Sequence, residues 1–151
     1  MKINGVKAIY FSATGNTKSV IELFCKAFDE PAEYLDVTDN EEYGCETDKN
    51  TLAVIGVPSF GGRVPAIAAE RIKNIRGNNT PAFILTTYGN RAYDDTLNEL
   101  RSIVESNGFV VAGAASIVSR HSIVTDIAAD RPDSKAVSYT HLRAHETELH
   151  L

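Results

Sequence analysis

A doubly wound α/β domain on a parallel sheet is what these 151 residues predict, and three observations predict it. Apolar runs of strand length alternate with helical stretches five times along the chain. The later runs are apolar almost throughout, as expected of strands covered on both faces. Three of the runs end abruptly in loops of Gly, Ser, Thr, Asn and aromatic residues, where a sheet of this class gathers its ligand-side loops.

The elements follow in order. Residues 7–11 read as strand one, because Ala8-Ile9-Tyr10-Phe11 is apolar and stops at Ser12. Helix one is expected over 16–28, with Val20, Ile21, Leu23, Phe24, Ala27 and Phe28 on one face. Pro31 ends the connection, 33–37 reads as a short strand two, and 38–50 is a polar, acidic connection. Residues 52–57 form strand three, which stops at Pro58-Ser59-Phe60-Gly61-Gly62-Arg63-Val64. Pro65 suits the first turn of helix two, whose apolar face (Ala68, Ile72, Ile75) is expected to run until Gly77. Strand four starts over 81–85 and breaks into Thr86-Thr87-Tyr88-Gly89-Asn90-Arg91. Helix three spans 94–107, with Asp94 and Asp95 placed to cap it, Leu97, Leu100 and Val104 facing inward and Gly108 as its stop. Residues 110–116 are strand five.

Size and charge narrow the function. A chain of 151 residues with 43% hydrophobic composition supports one domain with a sizeable core. Its net charge of −5 and pI near 5.3 argue against nucleic acid, since no excess of cations is available to displace counterions. No apolar run reaches membrane-spanning length and no signal segment follows Met1, so no membrane association and a cytoplasmic location are expected. Cys25 and Cys45 have no metal spacing and fit a reducing compartment, with Cys25 expected to pack in helix one. No Ser–His–Asp triad or catalytic Cys loop is visible.

The loop after strand one carries the sharpest chemistry. Ser12, Thr14 and Thr17 supply hydroxyls, Asn16 an amide, and Gly15 a backbone free to turn close to a ligand. The helix N-terminus behind them favours an anion. The pattern is neither G-x-x-x-x-G-K-[ST] nor G-x-G-x-x-G but S-x-T-G-x-T. After strand three, Ser59-Phe60-Gly61-Gly62 joins an aromatic to two glycines. After strand four, Tyr88 and Tyr93 flank a glycine-containing turn suited to a flat ligand.

The blocks YFSATGNTKS, VPSFGGRVP and TTYGNRAYDD closely resemble the flavodoxin family over residues 3–136. The resemblance implies a flavodoxin-like, three-layer sandwich whose five-stranded parallel sheet runs 2-1-3-4-5. That order brings the loops after strands one, three and four together. It implies flavin mononucleotide (FMN) as cofactor, its phosphate held by Ser12, Ala13, Thr14, Gly15, Asn16 and Thr17 without a cation. Pro58, Ser59, Phe60, Gly61 and Gly62 would meet the ring, with a glycine peptide free to flip toward N5 on reduction. Thr87, Tyr88, Gly89, Asn90, Arg91, Tyr93 and Asp94 would hold its other side, with the ring stacked on Tyr88 or Tyr93, of which Tyr93 is preferred. Arg91 departs from the acidic surroundings of a very low-potential flavodoxin, and near the ring's N1 its charge would raise the second reduction potential. The implied function is one-electron transfer through semiquinone and hydroquinone states. The alternative is an FMN-dependent NAD(P)H:quinone-type oxidoreductase; a ligand-free relative used for protein contacts stays open. A phospho-receiver domain is rejected, because Ser12 and Pro58-Ser59 stand where its acidic residues belong.

The last two blocks are closest to flavodoxin domains that precede a ferredoxin domain, yet the cysteine runs that iron–sulfur clusters need are missing. The expectation is a truncated relative over residues 1–136. Residues 137–151 resemble translated cloning sequence; three of the four histidines lie there, and the His141/His145 spacing is set aside as a metal site. His121 reads as a surface or packed residue that could also approach the ring. Residues 29–48 hold nine acidic side chains and no basic one, a solvated edge or a docking surface for a basic redox partner.

Overall fold

Ala8 and Ile9 are fully buried and Tyr10 is 4% exposed, so the first strand sits inside a sheet rather than at its edge. The computed structural model describes residues 2–39, 45–89 and 95–118. Within them the order is β1 (Gly5–Tyr10), α1 (Asn16–Cys25), β2 (Ala32–Asp36), β3 (Cys45–Glu46), β4 (Thr51–Pro58), α2 (Ala66–Ile72), β5 (Ile75–Arg76), β6 (Thr80–Tyr88), α3 (Thr96–Ser106) and β7 (Phe109–Val118).

The main sheet is parallel throughout and runs β2-β1-β4-β6-β7. With the two-residue strands set aside, that is the expected order 2-1-3-4-5. β4 is central; Ala53, Val54, Ile55 and Val57 are 0% exposed and Gly56 between them is buried as well. One face packs on α1, where Val20, Ile21 and Cys25 meet Ala8, Val54 and Leu85. The other packs on α2 and α3, where Ala68, Ile72, Leu100 and Val104 meet Ile9, Ala53, Ile55 and Ile84. Each of the larger aliphatic side chains contributes about 1.5–3 kcal/mol by leaving water, so these two clusters hold the three layers together.

Several elements differ from the sequence expectation. α1 stops at Cys25, and Ala27 and Phe28 continue it only as turns bonded three residues back. Its inward face centres on Ile21 and Cys25. Leu23 lies two positions, and so roughly 200°, from each of them, and is 49% exposed. α2 ends at Ile72 rather than near Gly77, with Pro65 one position ahead of the first helical residue. Ile75 instead enters β5, which pairs with β3 from the acidic connection to form a separate two-stranded sheet. β6 runs on through Thr86, Thr87 and Tyr88, residues expected to be loop. Asp95 holds the N-cap position of α3, but its side chain makes no capping bond. Gly108 does stop α3, at φ +94° and with its N–H on the Glu105 carbonyl. Asp94, His121 and the segment 137–151 lie outside the described residues.

Candidate functional site

β1, β4 and β6 are neighbours and point the same way, so the loops leaving them rise from one edge of the sheet. Thr87, near the end of β6, is the junction between them. Its hydroxyl shares a 2.8 Å hydrogen bond with that of Thr17, in the first turn of α1. Its carbonyl accepts a 2.8 Å bond from the Ser59 N–H, just beyond β4. Both threonines are buried, at 2% and 3% exposure. The start of α1, which follows β1, and the segment after β4 are therefore both tied to the end of β6 at one residue.

The first loop is shaped from within. Gly15 takes φ +90°, and no atom lies within 4 Å of the position where a Cβ would stand. The Ser12 hydroxyl accepts the Lys18 N–H at 3.0 Å, satisfying one of the first amides of α1. Its proton is left for a donor bond. The Ser19 hydroxyl donates to the Gly15 carbonyl at 2.9 Å. The Ser12 N–H donates to Thr38 Oγ1 at 2.8 Å, which ties the loop to the end of β2. Ala13 and Thr14 are exposed, Asn16 is half-buried, and Thr17 points down onto Thr87 rather than up.

The second loop is a tight reversal. Phe60 and Arg63 exchange N–H···O bonds of 2.9 and 3.1 Å across Gly61 and Gly62. Both glycines have positive φ, +60° and +78°, a conformation that a side chain resists. Pro58 closes β4 beneath the turn, and Phe60 at its tip is 53% exposed. Behind it, Glu99 of α3 accepts from Arg63 Nε at 3.1 Å, from Nη2 at 2.9 Å and from the Val64 N–H at 2.8 Å. The guanidinium, with the Val64 N–H in a lesser role, holds the Glu99 carboxyl below the ordinary carboxylate range. Ser59 shares a 2.7 Å hydroxyl bond with Thr96.

Of the third loop, Tyr88 and Gly89 are half-buried, while Asn90, Arg91, Tyr93 and Asp94 lie outside the described residues. Thr38, Arg63, Thr96 and Glu99 carry the loops' geometry and escape a reading of local motifs. Their partners are 26 to 37 residues away, and no spacing signals them. Thr86 Oγ1 is buried and unpartnered among the described residues.

A cavity of about 720 Å³ opens at the opposite, amino-terminal edge of the sheet, beside Lys7, Glu33, Cys45, Thr47 and Arg76. Lys7 is neutralised there by Glu33 at 3.2 Å, and the walls mix both charges, so no single ligand chemistry converges on it. The carboxyl edge, with its open helix N-terminus, exposed aromatic and tied loops, is the better-defined site. Among the described residues no three metal-ligating side chains come together, and no helix is long and apolar enough to cross a membrane.

No protein-family model matches the sequence, and no curated protein matches it. Solved structures do. Oxidised flavodoxin 1 from Bacillus cereus matches with a TM-score of 0.58 at 14% identity, over 90% of this chain and 93% of that one. A flavoprotein from Lactobacillus acidophilus, solved in complex with FMN, matches with a TM-score of 0.52 at 18% identity, over 75% and 93% of the two chains. A flavodiiron core from Synechocystis matches with a TM-score of 0.59 at 13% identity, over 91% of this chain but 33% of that one. The fold is flavodoxin-like.

Proposed function

We propose that this chain is an FMN-binding electron carrier. The observation that carries the reading is the junction at Thr87, which draws the loops after β1 and β4 to the end of β6. The residues present fit the cofactor. The open space above Gly15 leaves room for a phosphate at the N-terminus of α1, where oriented amides favour an anion without a cation. The Ser12 and Thr14 hydroxyls would orient that phosphate. Phe60, exposed at the tip of its turn, offers an apolar surface for one face of the ring and would keep water from it. Gly61 and Gly62 give that turn a backbone able to approach the ring edge. Tyr88, Gly89 and residues 90–94 would close the other side. When bound, the flavin supplies the redox chemistry, and the protein supplies orientation and electrostatics.

Within the flavodoxins we favour the type of domain that precedes a ferredoxin domain, on the blocks VPSFGGRVP and TTYGNRAYDD. The acidic run over 29–48 supports a basic redox partner. Asp29, Glu33, Asp36, Asp39, Glu46 and Asp48 are all exposed, with Glu33 paired to Lys7, and a predominantly acidic surface speeds encounter with a basic one. Electron-transfer rates should then fall as ionic strength rises; rates indifferent to salt would remove the docking surface from the account.

The test of the cofactor is retention. The purified chain, incubated with FMN and desalted, should stay yellow with about one flavin per chain, as one site requires. Flavin lost entirely on desalting contradicts the reading. Slow oxidation of NADPH by the loaded protein supports a carrier; fast turnover moves the assignment to a reductase.

A further inference from the structure

Both ends of the turn-bearing segment 59–64 rest on one turn of one helix. Ser59 bonds Thr96 at 2.7 Å, and Arg63 and Val64 bond Glu99 at 2.8 to 3.1 Å. Thr96 and Glu99 are three positions apart and so lie on the same side of α3. Between these two anchors only Phe60, Gly61 and Gly62 stand clear. The amide and carbonyl of Phe60 are closed internally on Arg63. Thr96 is fully buried, and the Glu99 side chain is 25% exposed against 65% for Arg63. The carboxylate is thus the more buried partner and the guanidinium the more exposed one. α3 is also the element that the third loop runs into, so this helix is shared by two of the three loops at the site.

We propose that Thr96 and Glu99 are positioning residues: they pin both ends of segment 59–64 to α3 and so set where the Phe60–Gly61–Gly62 tip stands at the cofactor site. Glu99 does so by three directed bonds, of which the one to the Val64 N–H is independent of Arg63. The placement rests on the FMN reading for its ligand, but the pinning itself is a property of the chain alone. Pre-setting the tip removes ordering that binding would otherwise have to supply. Neither Thr96 nor Glu99 is itself a member of the two apolar clusters, although Val64 belongs to one of them, so the exchange of Ile55 and Leu85 is the control for the fold.

The experiment has two readouts on the same variants, Glu99→Ala, Glu99→Gln and Thr96→Val. The first is amide hydrogen exchange of the flavin-free chain. In Glu99→Ala the Phe60, Arg63 and Val64 amides should exchange about tenfold faster while those of Ile55 and Leu85 keep their rates. Glu99→Gln retains an acceptor for Val64 and should fall between. The second is FMN binding, followed by quenching of flavin fluorescence. The dissociation constant should rise about tenfold in Glu99→Ala, and the midpoint potential of the bound flavin should move, which loss of overall stability alone does not cause. Unchanged exchange at Phe60, Arg63 and Val64, or exchange that rises equally throughout the sheet, overturns the pinning. Faster local exchange with unaltered affinity and potential overturns its role at the site. If the parent chain takes up no flavin, the FMN reading and the ligand part of this inference fall together, and the exchange data still decide the pinning.

Discussion

Thr17 and Thr87, 70 residues apart in the chain, share a buried hydrogen bond of 2.8 Å between their hydroxyls. The bond locks the first turn of α1 to the end of β6. Thr17→Val keeps the shape and leaves the Thr87 hydroxyl buried without that partner, at a cost of about 1–3 kcal/mol. Thr17→Val/Thr87→Val removes both groups and should recover part of it. Urea unfolding checks this: the midpoint shifts with the slope unchanged, and the double variant is less destabilised than the sum of the single ones.

Two glycines with positive φ should respond differently to alanine. At Gly108, φ is +94° and an added Cβ would meet the Gly77 carbonyl oxygen at 2.2 Å. That oxygen belongs to backbone and cannot swing away, so Gly108→Ala should cost about 3 kcal/mol or more. At Gly61, φ is +60° and the Cβ meets nothing within 4 Å, so only the left-handed backbone penalty of about 1–2 kcal/mol applies. Thermal melts of the two variants rank them directly.

The pH dependence follows from Glu99. Its carboxyl is held below the ordinary range, first by Arg63, so the folded state binds fewer protons than the unfolded one. The stability it contributes is therefore present above the unfolded value of about 4.3 and lost as pH falls through the folded value. Glu99→Gln should melt below the parent at about pH 7, and the gap should close as the acid limb is entered. Arg63 is largely exposed, so added salt should narrow the gap as well.

The thiols should separate by reactivity. Cys25 is 4% exposed and burial pushes its pKa up, so little thiolate forms there near neutral pH. Cys45 is partly exposed at β3. A disulfide-exchange reagent on the native chain should titrate one thiol quickly, and the second only when denaturant is added.

How much was legible in the sequence divides along physical lines. The run Leu52-Ala53-Val54-Ile55-Gly56-Val57 could only be a strand covered on both faces, and β4 is the central strand. The helix stop at Gly108 was likewise readable from a local pattern, whereas the strand order came only through the family resemblance. β3 and β5 were not, since a two-residue strand has no periodicity to detect. Thr86 and Thr87 hid the end of β6, because hydroxyls inside a sheet resemble the start of a loop. At the candidate site, Gly15 and the Gly61–Gly62 turn announced themselves through the conformations only glycine takes readily. Thr17 did not announce that it points inward, and Glu99 looked like any acidic residue early in a helix. Their partners are set by the fold, not by neighbours in sequence.

Phe60 separates binding from folding. It is 53% exposed at the tip of its turn, so Phe60→Ala should change stability by no more than about 0.5 kcal/mol. A ring stacked on it loses about 0.5–1.5 kcal/mol, so FMN affinity should fall by up to about tenfold. Denaturant curves and a flavin titration on the same preparation check both halves.

The most direct test of the central claim compares FMN with riboflavin, which lacks the phosphate, by quenching of flavin fluorescence on the purified chain. Saturation at about one FMN per chain, with riboflavin binding at least about tenfold more weakly, is expected if the N-terminus of α1 beside Gly15 holds the phosphate. Equal affinity for the two flavins, or no quenching at high protein concentration, would contradict it.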